Sequence, residues 1–405
     1  MARTLRAATD ERVSYVERAD ALDALCDQLA RAARFAIDTE FVGERSYAPA
    51  LELIQVATGD RVALIDCRAV ERLEPVFALL ADPGIEKVFH AGQQDLELFQ
   101  TLSGRAPATI VDTQVAAAML GYGAQIGYAQ LVERVLGTAV DKSETLTDWS
   151  RRPLTAAQLA YAADDVRHLL PLYAALRAQL EQRGRWEWLV EECRRAERCT
   201  RSGIVNADEA WLRVRGRGTL RAKGLVVLRA LAAWREEVAK RQDRPRASVA
   251  RDEALVEIAR KAPMSVEALR GLRAVRSREL ERGAADIVQR VVAALETPRA
   301  EWPQPAPVVH AAPAAGAVEV LQAVLRVRAE ESGIAPTLVA TSADLQELVR
   351  RRVTCAVLDE LPILQGWRRE IAGRDLLALL DGDAAVSLDP VTGAVRIETR
   401  RSPLQ

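Results

Sequence analysis

The hydrophobic periodicity of the chain changes near residue 206, and this change restricts the fold more than any other feature. Before it, strand-like and helix-like patterns alternate along the sequence. Arg34–Phe41 shows the strand pattern clearly, with Phe35 and Ile37 on one face and Asp38 and Glu40 on the other. After residue 206, strand patterns disappear until the last twenty residues. The sequence therefore predicts a sheet-containing domain followed by helical domains.

A hairpin and several helices complete the first part of the chain. Leu51–Ala57 and Val62–Asp66 are apolar strand patterns separated by the turn signal Thr58-Gly59-Asp60, which predicts an antiparallel hairpin. The remaining predicted elements are a strand, Lys87–His90, and helices over Glu71–Ala81, Gln94–Leu102, Asp112–Leu120, Tyr128–Leu136 and Thr155–Gln182. This alternation predicts an α/β domain with a mixed sheet over residues 1–205.

The second part of the chain is predicted to be helical and internally repeated. Residues 206–297 contain amphipathic helices such as Leu220–Arg241 and Asp252–Lys261. Residues 298–316 hold five prolines and are typical of a stiff linker. Helices resume over 317–405, with a small hairpin expected at Ala385–Thr399. The sequence at 249–255 resembles that at 339–345, and 269–272 resembles 364–367, so two divergent copies of one helical domain are expected.

Composition excludes several classes of protein. Apolar residues make up 49% and charged residues 28%, which is typical of a globular chain and excludes a disordered or fibrous one. No run approaches the ~18 apolar residues of a membrane span, and no signal-peptide pattern opens the sequence. Five scattered cysteines without a CxxC pair favour a reducing compartment, so we expect a cytoplasmic protein. With three histidines in the chain, any metal is expected to be held by carboxylates.

The net charge of −1 hides an uneven distribution. Residues 1–205 carry 24 Lys and Arg against 30 Asp and Glu, and residues 291–405 carry 12 against 15. Residues 206–290 carry 20 basic against 12 acidic residues, a surplus of eight positive charges. Such a basic segment indicates either a polyanionic partner or an ordinary solvated helical surface. Its start is the most basic part, with Arg213, Arg215, Arg217, Arg221 and Lys223.

Carboxylates on three different elements of the first domain are candidates for a metal site. Asp38 and Glu40 are two apart on a strand and share a face, and Asp95 opens the helix after the Lys87–His90 strand. Tyr161 and Asp165 are four apart on a helix, so both lie on one face. Each signal alone is more often a solvated surface, but together they suggest a cluster that divalent cations would neutralise. Two Mg²⁺ ions about 3.5–4 Å apart form a clamp for attack on a phosphodiester.

Four motifs resemble those of the ribonuclease D family, in the tyrosine branch of the DEDD exonuclease superfamily. They are Asp38-Thr39-Glu40-Phe41, His90-Ala91-Gly92 with Asp95-Leu96-Glu97, Asp112-Thr113-Gln114, and Tyr161-Ala162-Ala163-Asp164-Asp165. The string from Asp141-Lys142-Ser143-Glu144 through Asp148-Trp149 to Arg152-Pro153 is also similar to a loop of that family. The two repeated helical segments resemble its pair of HRDC domains. The resemblance implies a ribonuclease H-like exonuclease domain followed by two HRDC-like domains.

The resemblance also implies a function and a site. It implies a 3′→5′ exoribonuclease that releases nucleoside 5′-monophosphates from RNA with a free 3′ end, such as transfer-RNA precursors, with no membrane or obligate protein partner. Two divalent ions, Mg²⁺ or Mn²⁺, would be bound by Asp38, Glu40, Asp95 and Asp165, and Tyr161 would align the attacking water. Spacing favours Asp165 over the neighbouring Asp164. We also expect RNA contacts at Lys142, Arg152 and the basic residues between 213 and 223.

Two other functions remain open on sequence grounds. A DNA-directed 3′→5′ exonuclease would use the same residues, because the ligand set does not distinguish ribose from deoxyribose, whereas a contact to the 2′-hydroxyl would. A non-catalytic RNA-binding scaffold would retain the fold but usually lose some site residues, and all five are present here. His90 is expected to be a strand-end residue of the core and not a metal ligand.

Overall fold

The computed structural model describes residues 11–43, 46–47, 49–59, 61–140, 147–202, 207–273, 277–305 and 315–400. Its strands form one large sheet and one C-terminal hairpin. They are β1 (Val13–Val16), β2 (Arg34–Val42), β3 (Ala50–Thr58), β4 (Arg61–Asp66), β5 (Glu86–Phe89), β6 (Ile110–Asp112), β7 (Ala384–Leu388) and β8 (Val395–Thr399).

The helices cover most of the remaining chain. In the first part they are α1 (Ala19–Leu29), α2 (Glu74–Ala81), α3 (Gln93–Ser103), α4 (Thr113–Met119), α5 (Tyr128–Leu136), α6 (Ala156–Arg167), α7 (Leu169–Gln182) and α8 (Trp186–Ser202). After residue 206 they are α9 (Ala222–Arg241), α10 (Arg246–Val249), α11 (Asp252–Lys261), α12 (Val266–Arg270), α13 (Arg278–Arg282), α14 (Ala284–Glu296), α15 (Ala315–Glu331), α16 (Pro336–Val339), α17 (Ser342–Val353), α18 (Gly366–Arg368) and α19 (Arg374–Asp381).

The large sheet has the predicted mixed topology. Its strand order is β1-β4-β3-β2-β5-β6. The predicted hairpin is confirmed, because β3 pairs antiparallel with β4, and β3 also pairs antiparallel with β2. The outer pairs β1–β4, β2–β5 and β5–β6 are parallel. Strand β2 therefore lies in the middle of the sheet, and α6 packs across β2, β3 and β4.

The helix predicted over Thr155–Gln182 is wrong as one element. It breaks at His168, whose φ and ψ of −95° and −1° end α6 before α7 begins. Pro171 explains the break, because proline lacks an amide hydrogen and its ring clashes with the carbonyl four residues earlier in a continuous helix. The phenol of Tyr128 bridges the break: it donates to the carbonyl of Asp164 at 3.0 Å and accepts from the amide of His168 at 3.2 Å.

The part after residue 206 consists of two helical modules with the same element order. In the first helical module (207–296), the long α9 is followed by the four-residue α10 and then by α11. In the second helical module (315–400), α15, α16 and α17 repeat this order. The repeated segments 249–255 and 339–345 each span the end of the short helix and the start of the next, which accounts for the resemblance between them.

The two modules differ in how they pack. The first has a core of its own, which includes Leu228, Trp234 and Leu255. The second shares one continuous core with the sheet domain (residues 11–202). Trp367 stacks on Trp188 of α8 with ring centroids 5.5 Å apart. Beside that stack, the buried guanidinium of Arg368 forms a two-pronged ion pair with Glu192. The second module is thus an integral part of the sheet domain's core.

The C-terminal segment forms the expected hairpin. Strands β7 and β8 pair antiparallel, and the carboxylate of Asp389 accepts the amides of Val391 and Thr392 at 2.8 Å, which closes the turn. Among the described residues, no helix is long and apolar enough to cross a lipid bilayer.

Candidate active site

The structure brings the four predicted carboxylates together on one face of the large sheet. Asp38 and Glu40 project from the middle strand β2, on the face that α6 covers. Asp95 lies in the first turn of α3, directly after β5, which is the parallel neighbour of β2. Asp165 lies in the last turn of α6. Each carboxylate therefore lies on a central strand, on a helix that follows such a strand, or on a helix that packs against these strands.

Burial raises the pKa of every carboxyl in this cluster, and nearby negative charges add to the effect. Burial raises the pKa of Asp38 well above its ordinary value, and the charges of the other three add to the effect. Burial together with the charges of Asp165 and Asp95 raises the pKa of Glu40 to about 8. Burial also raises the pKa of Asp95 to about 6 and that of Asp165 to about 7. The cluster is an unfavourable place for four negative charges unless a cation neutralises them.

Tyr161 belongs to the same cluster. It lies one helical turn before Asp165 on α6, and the hydrogen bond between the two side chains partly offsets the rise in the pKa of Asp165. A capping box fixes the start of this helix, since Thr155 and Gln158 bond each other's backbone amides at 2.9 and 3.1 Å. The ring of Trp149 packs 6.1 Å from that of Tyr161 and limits its movement.

Asp164 has a cation as its partner, although its charge contributes to the raised pKa of Asp165. Its carboxylate forms an ion pair with Arg167 at 3.2 Å on the outer side of α6. The charges that raise the pKa of Asp38 and Glu40 include that of Asp165 and not that of Asp164, so the choice of Asp165 stays the prediction.

The His90-Ala91-Gly92 motif shapes the loop that leads to Asp95. Asp112 accepts the backbone amides of Ala91 and Gly92, both at 3.0 Å, so the motif at 112–114 holds the motif at 90–92 in place. Gly92 has no room for a side chain, because an added Cβ would lie 2.7 Å from the ring of Phe89. His90 bonds Thr113 and the carbonyl of Ile126 at 2.9 and 3.0 Å, as expected of a strand-end core residue.

Two residues that sequence reasoning did not select also hold the cluster. The hydroxyl of Thr39 donates to the carboxylate of Asp95, which ties α3 to β2. Tyr128 spans the break between α6 and α7, one turn from Asp165, and burial raises the pKa of its phenol, so that it stays protonated. The position of Thr39 between Asp38 and Glu40 was a usable signal, whereas no spacing pattern marks Tyr128.

The residues predicted to contact RNA differ in their exposure and in their partners. Arg213, Arg215, Arg217, Arg221 and Lys223 are all exposed at the start of the first helical module. Lys142 lies outside the described residues. Arg152 does not fit the expected role, because its guanidinium donates to both oxygens of Asp66 at 2.7 and 2.8 Å and to the carbonyls of Trp149 and Glu52. Arg152 thus anchors the loop that carries Trp149.

The carboxylate oxygens of the cluster are ligands of the kind that hard divalent cations such as Mg²⁺ prefer. Binding a cation would reverse the electrostatic cause of the raised pKa values of these carboxylates. Within the described part of the chain, however, no three acidic, imidazole or thiol side chains form a set arranged around one ion. The carboxylates influence one another electrostatically without converging on one point.

The sheet domain is that of a 3′→5′ exonuclease. A family model described as 3'-5' exonuclease matches residues 13–181, which include the sheet and all five predicted site residues. A second model, the HRDC domain, matches residues 224–291 within the first helical module.

Relatives specify the family. The chain is 40% identical to ribonuclease D of Gluconacetobacter diazotrophicus over 96% of its length and 98% of the relative's. It is 39% identical to ribonuclease D of Acidiphilium cryptum, over 92% of this chain and 94% of that relative. The crystal structure of Escherichia coli RNase D, an exoribonuclease involved in structured RNA processing, superposes with a TM-score of 0.81 at 33% identity, over 91% of this chain and 99% of that one. The chain belongs to the ribonuclease D family of exoribonucleases.

Proposed function

We propose that the chain trims structured RNA, including transfer-RNA precursors, from the 3′ end and releases nucleoside 5′-monophosphates in the cytoplasm. The observation that carries this proposal is the cluster of four carboxylates with raised pKa values beside Tyr161. The processing of structured RNA by the Escherichia coli relative supports the substrate class. Each of the five cysteines is a free thiol, in agreement with a reducing compartment.

The four carboxylates would bind two Mg²⁺ or Mn²⁺ ions. Asp38 and Glu40 supply oxygens from the central strand, and Asp95 and Asp165 supply them from the two helices that flank it. When bound, such ions acidify an attacking water and stabilise the leaving oxygen of a phosphodiester. The protein itself contributes the positions of the four carboxylates, which a bound cation would keep ionised at neutral pH.

Tyr161 would orient the attacking water. Its hydroxyl is held by Asp165, so its position follows that of a proposed metal ligand. A phenol with a pKa of ~10 remains protonated at neutral pH and is a poor general base. Its hydroxyl instead offers a fixed hydrogen bond that aligns the water with the scissile phosphorus.

The body of the RNA would be held by the first helical module. The sheet domain carries a net negative charge and repels a polyanion, whereas residues 206–290 have eight surplus positive charges. Arg215, Arg217 and Arg221 are exposed, and the backbone amide of Arg215 is pinned to Asp252 at 2.9 Å. The basic run Arg350–Arg352 of the second module is instead neutralised by Glu347, Glu360 and Asp381.

A trimming assay on a labelled precursor tests this function. The full chain is incubated with a 5′-labelled transfer-RNA precursor that has a 3′ extension, in Mg²⁺, in Mn²⁺ and in EDTA. We expect a ladder of products shortened from the 3′ end in either metal, with 5′-monophosphates released and no reaction in EDTA. A DNA strand of the same sequence should react more slowly. Internal cleavage, or trimming of the DNA in preference to the RNA, would contradict the proposal.

A further inference from the structure

We propose that Gln55 is a positioning residue for Asp38, holding its carboxylate in the orientation in which it binds the metal. Gln55 lies in the middle of β3 and is 0% exposed. Neither the oxygen nor the nitrogen of its side-chain amide has a hydrogen-bond partner among the described residues. A buried amide without partners is unusual in a folded protein and requires an explanation.

The pairing register places this amide beside Asp38. In the antiparallel ladder between β2 and β3, Gln55 is the direct partner of Asp38. Directly opposed residues of an antiparallel pair project from the same face, with Cβ atoms about 4.5–5.5 Å apart. The two side chains are not hydrogen-bonded in this structure, but a glutamine side chain is long enough for a change of rotamer to bring its Nε2 to a carboxylate oxygen of Asp38.

The residue directly opposite Gln55 on its other side, in β4, offers it no polar group. Leu64 is its partner on β4, and Leu53, two residues earlier on the same face, is opposite Glu40. Both leucines are fully buried, and α6 covers this face of the strands. Asp38 is therefore the directly opposed acceptor, whereas the carboxylates of Glu40 and Asp66 lie one step away diagonally on the same face.

A hydrogen bond from Nε2 to Asp38 would do two things. It would favour the ionised form of the carboxylate, which binds a cation, and it would fix the direction of the oxygen lone pairs. Partners of this kind behind a ligand typically change metal affinity by about 10–100-fold when they are removed. The same amide without a partner destabilises the fold, because its burial is not compensated.

Replacing Gln55 should therefore change stability and metal affinity in opposite directions. In the full chain, Gln55→Leu removes both polar atoms at similar volume. We expect its melting temperature in EDTA to stay equal or rise. We expect its dissociation constant for Mn²⁺, measured by electron paramagnetic resonance of the free ion, to rise by about 10–100-fold. Gln55→Met, which keeps an unbranched side chain, serves as a second variant. We expect the same changes in its melting temperature and in its dissociation constant for Mn²⁺.

Activity provides a readout that a packing role would not change. The Mn²⁺ concentration for half-maximal trimming should rise in Gln55→Leu, whereas saturating Mn²⁺ should restore the rate to within a few-fold and leave KM for RNA unchanged. Gln100→Leu is the matched control, because Gln100 is also a buried glutamine with an unpartnered oxygen but lies on α3. Unchanged Mn²⁺ affinity in Gln55→Leu, or an equal loss in Gln100→Leu, would overturn the inference.

This inference rests on the proposed metal-binding role of Asp38, and one further variant separates the two. If Asp38→Asn lowers Mn²⁺ affinity and Gln55→Leu does not, the role of Gln55 is wrong and the proposed function stands. If Asp38→Asn binds Mn²⁺ as the unsubstituted chain does, the metal site itself is wrong, and the role of Gln55 is wrong with it.

Discussion

At the scale of single residues, the active-site carboxyls are protonated over a pH range in which ordinary carboxyls are ionised. Asp95, Asp165 and Glu40 titrate at about 6, 7 and 8 in the folded chain. In the unfolded chain the same groups titrate near about 4. Between these values the folded state binds more protons than the unfolded state, so ionisation of the cluster opposes folding.

The free energy of unfolding in EDTA should therefore fall as the pH rises from about 4 to about 8. Urea unfolding at a series of pH values measures this dependence. Asp165→Asn removes one of the titrating groups and should flatten the decline. Glu181→Gln, which removes a carboxyl paired with Arg177 on α7, should leave it unchanged. The electrostatic account would be contradicted if the free energy of unfolding in EDTA fell more steeply with rising pH in Asp165→Asn than in the unsubstituted chain.

The sequence predicted the residues of the cluster better than it predicted the residues that support them. Asp38, Glu40, Asp95, Tyr161 and Asp165 stand in motifs that resemble those of the exonuclease family, and each motif alone would be a weak signal. Tyr128 supports this arrangement by bridging a helix break, and Gln55, in the role proposed above, would support it through the strand register. Arg152 was misjudged because its partner Asp66 is distant in sequence.

At the scale of elements, the position of Asp95 depends on the tight loop before α3. Gly92→Ala would place a methyl group 2.7 Å from atoms of the buried Phe89 side chain, so the loop or the ring must shift. Overpacking of this kind costs about 1–3 kcal/mol of stability, and the shift should move Asp95 away from the other carboxylates. We expect a loss of trimming activity at temperatures at which the variant is still folded.

Circular dichroism melting and trimming rates measured on the same sample test this expectation. Gly127→Ala is the matched control, since nothing lies within 4 Å of the Cβ it would add. Its activity should stay close to that of the unsubstituted chain. Unchanged activity in Gly92→Ala would show that the loop does not determine the position of Asp95.

Long or strongly periodic elements could be predicted from the sequence, whereas two of the short strands could not. Helices α5 and α11 have the predicted bounds, and the β3–β4 hairpin was marked by its turn signal. Strands β1 and β6 contain four and three residues, too few for a period to show, and parallel pairing with distant strands stabilises them. The break between α6 and α7 is caused by Pro171. Hydrophobic periodicity continues across this proline and therefore did not predict the break.

At the scale of the whole molecule, the two helical modules are copies of one pattern with different surroundings. The second packs on α8 through Trp367 and Arg368, so it completes the core of the sheet domain. This docking could not be predicted from the sequence. The similarity between the repeats reflects the helices that both modules share, and it does not indicate which surface of a module contacts another domain. The first keeps a separate core and leaves its basic start exposed.

The exposed basic start should determine the salt dependence of RNA binding. Replacing Arg215, Arg217 and Arg221 together by Gln in the full chain should weaken RNA binding. For every phosphate that the protein no longer neutralises, the slope of log affinity against log salt should become shallower by ~0.7 on a single strand. Replacing Arg350, Arg351 and Arg352 by Gln is the control, because those side chains are paired with acidic residues. Equal slopes for both triple variants would show that the first module does not hold the RNA.

The claim that one carboxylate cluster performs the hydrolysis is tested most directly by two adjacent residues. Asp165→Asn and Asp164→Asn remove one carboxyl charge each from neighbouring positions on α6, but only Asp165 faces the cluster and bonds Tyr161. The rate of 3′ trimming of an RNA in Mg²⁺ is measured for both. The structure predicts that Asp165→Asn reduces the rate to background, whereas Asp164→Asn stays within a few-fold of the unsubstituted chain. Equal rates for the two variants, or a greater loss in Asp164→Asn, would contradict the assignment of the active site.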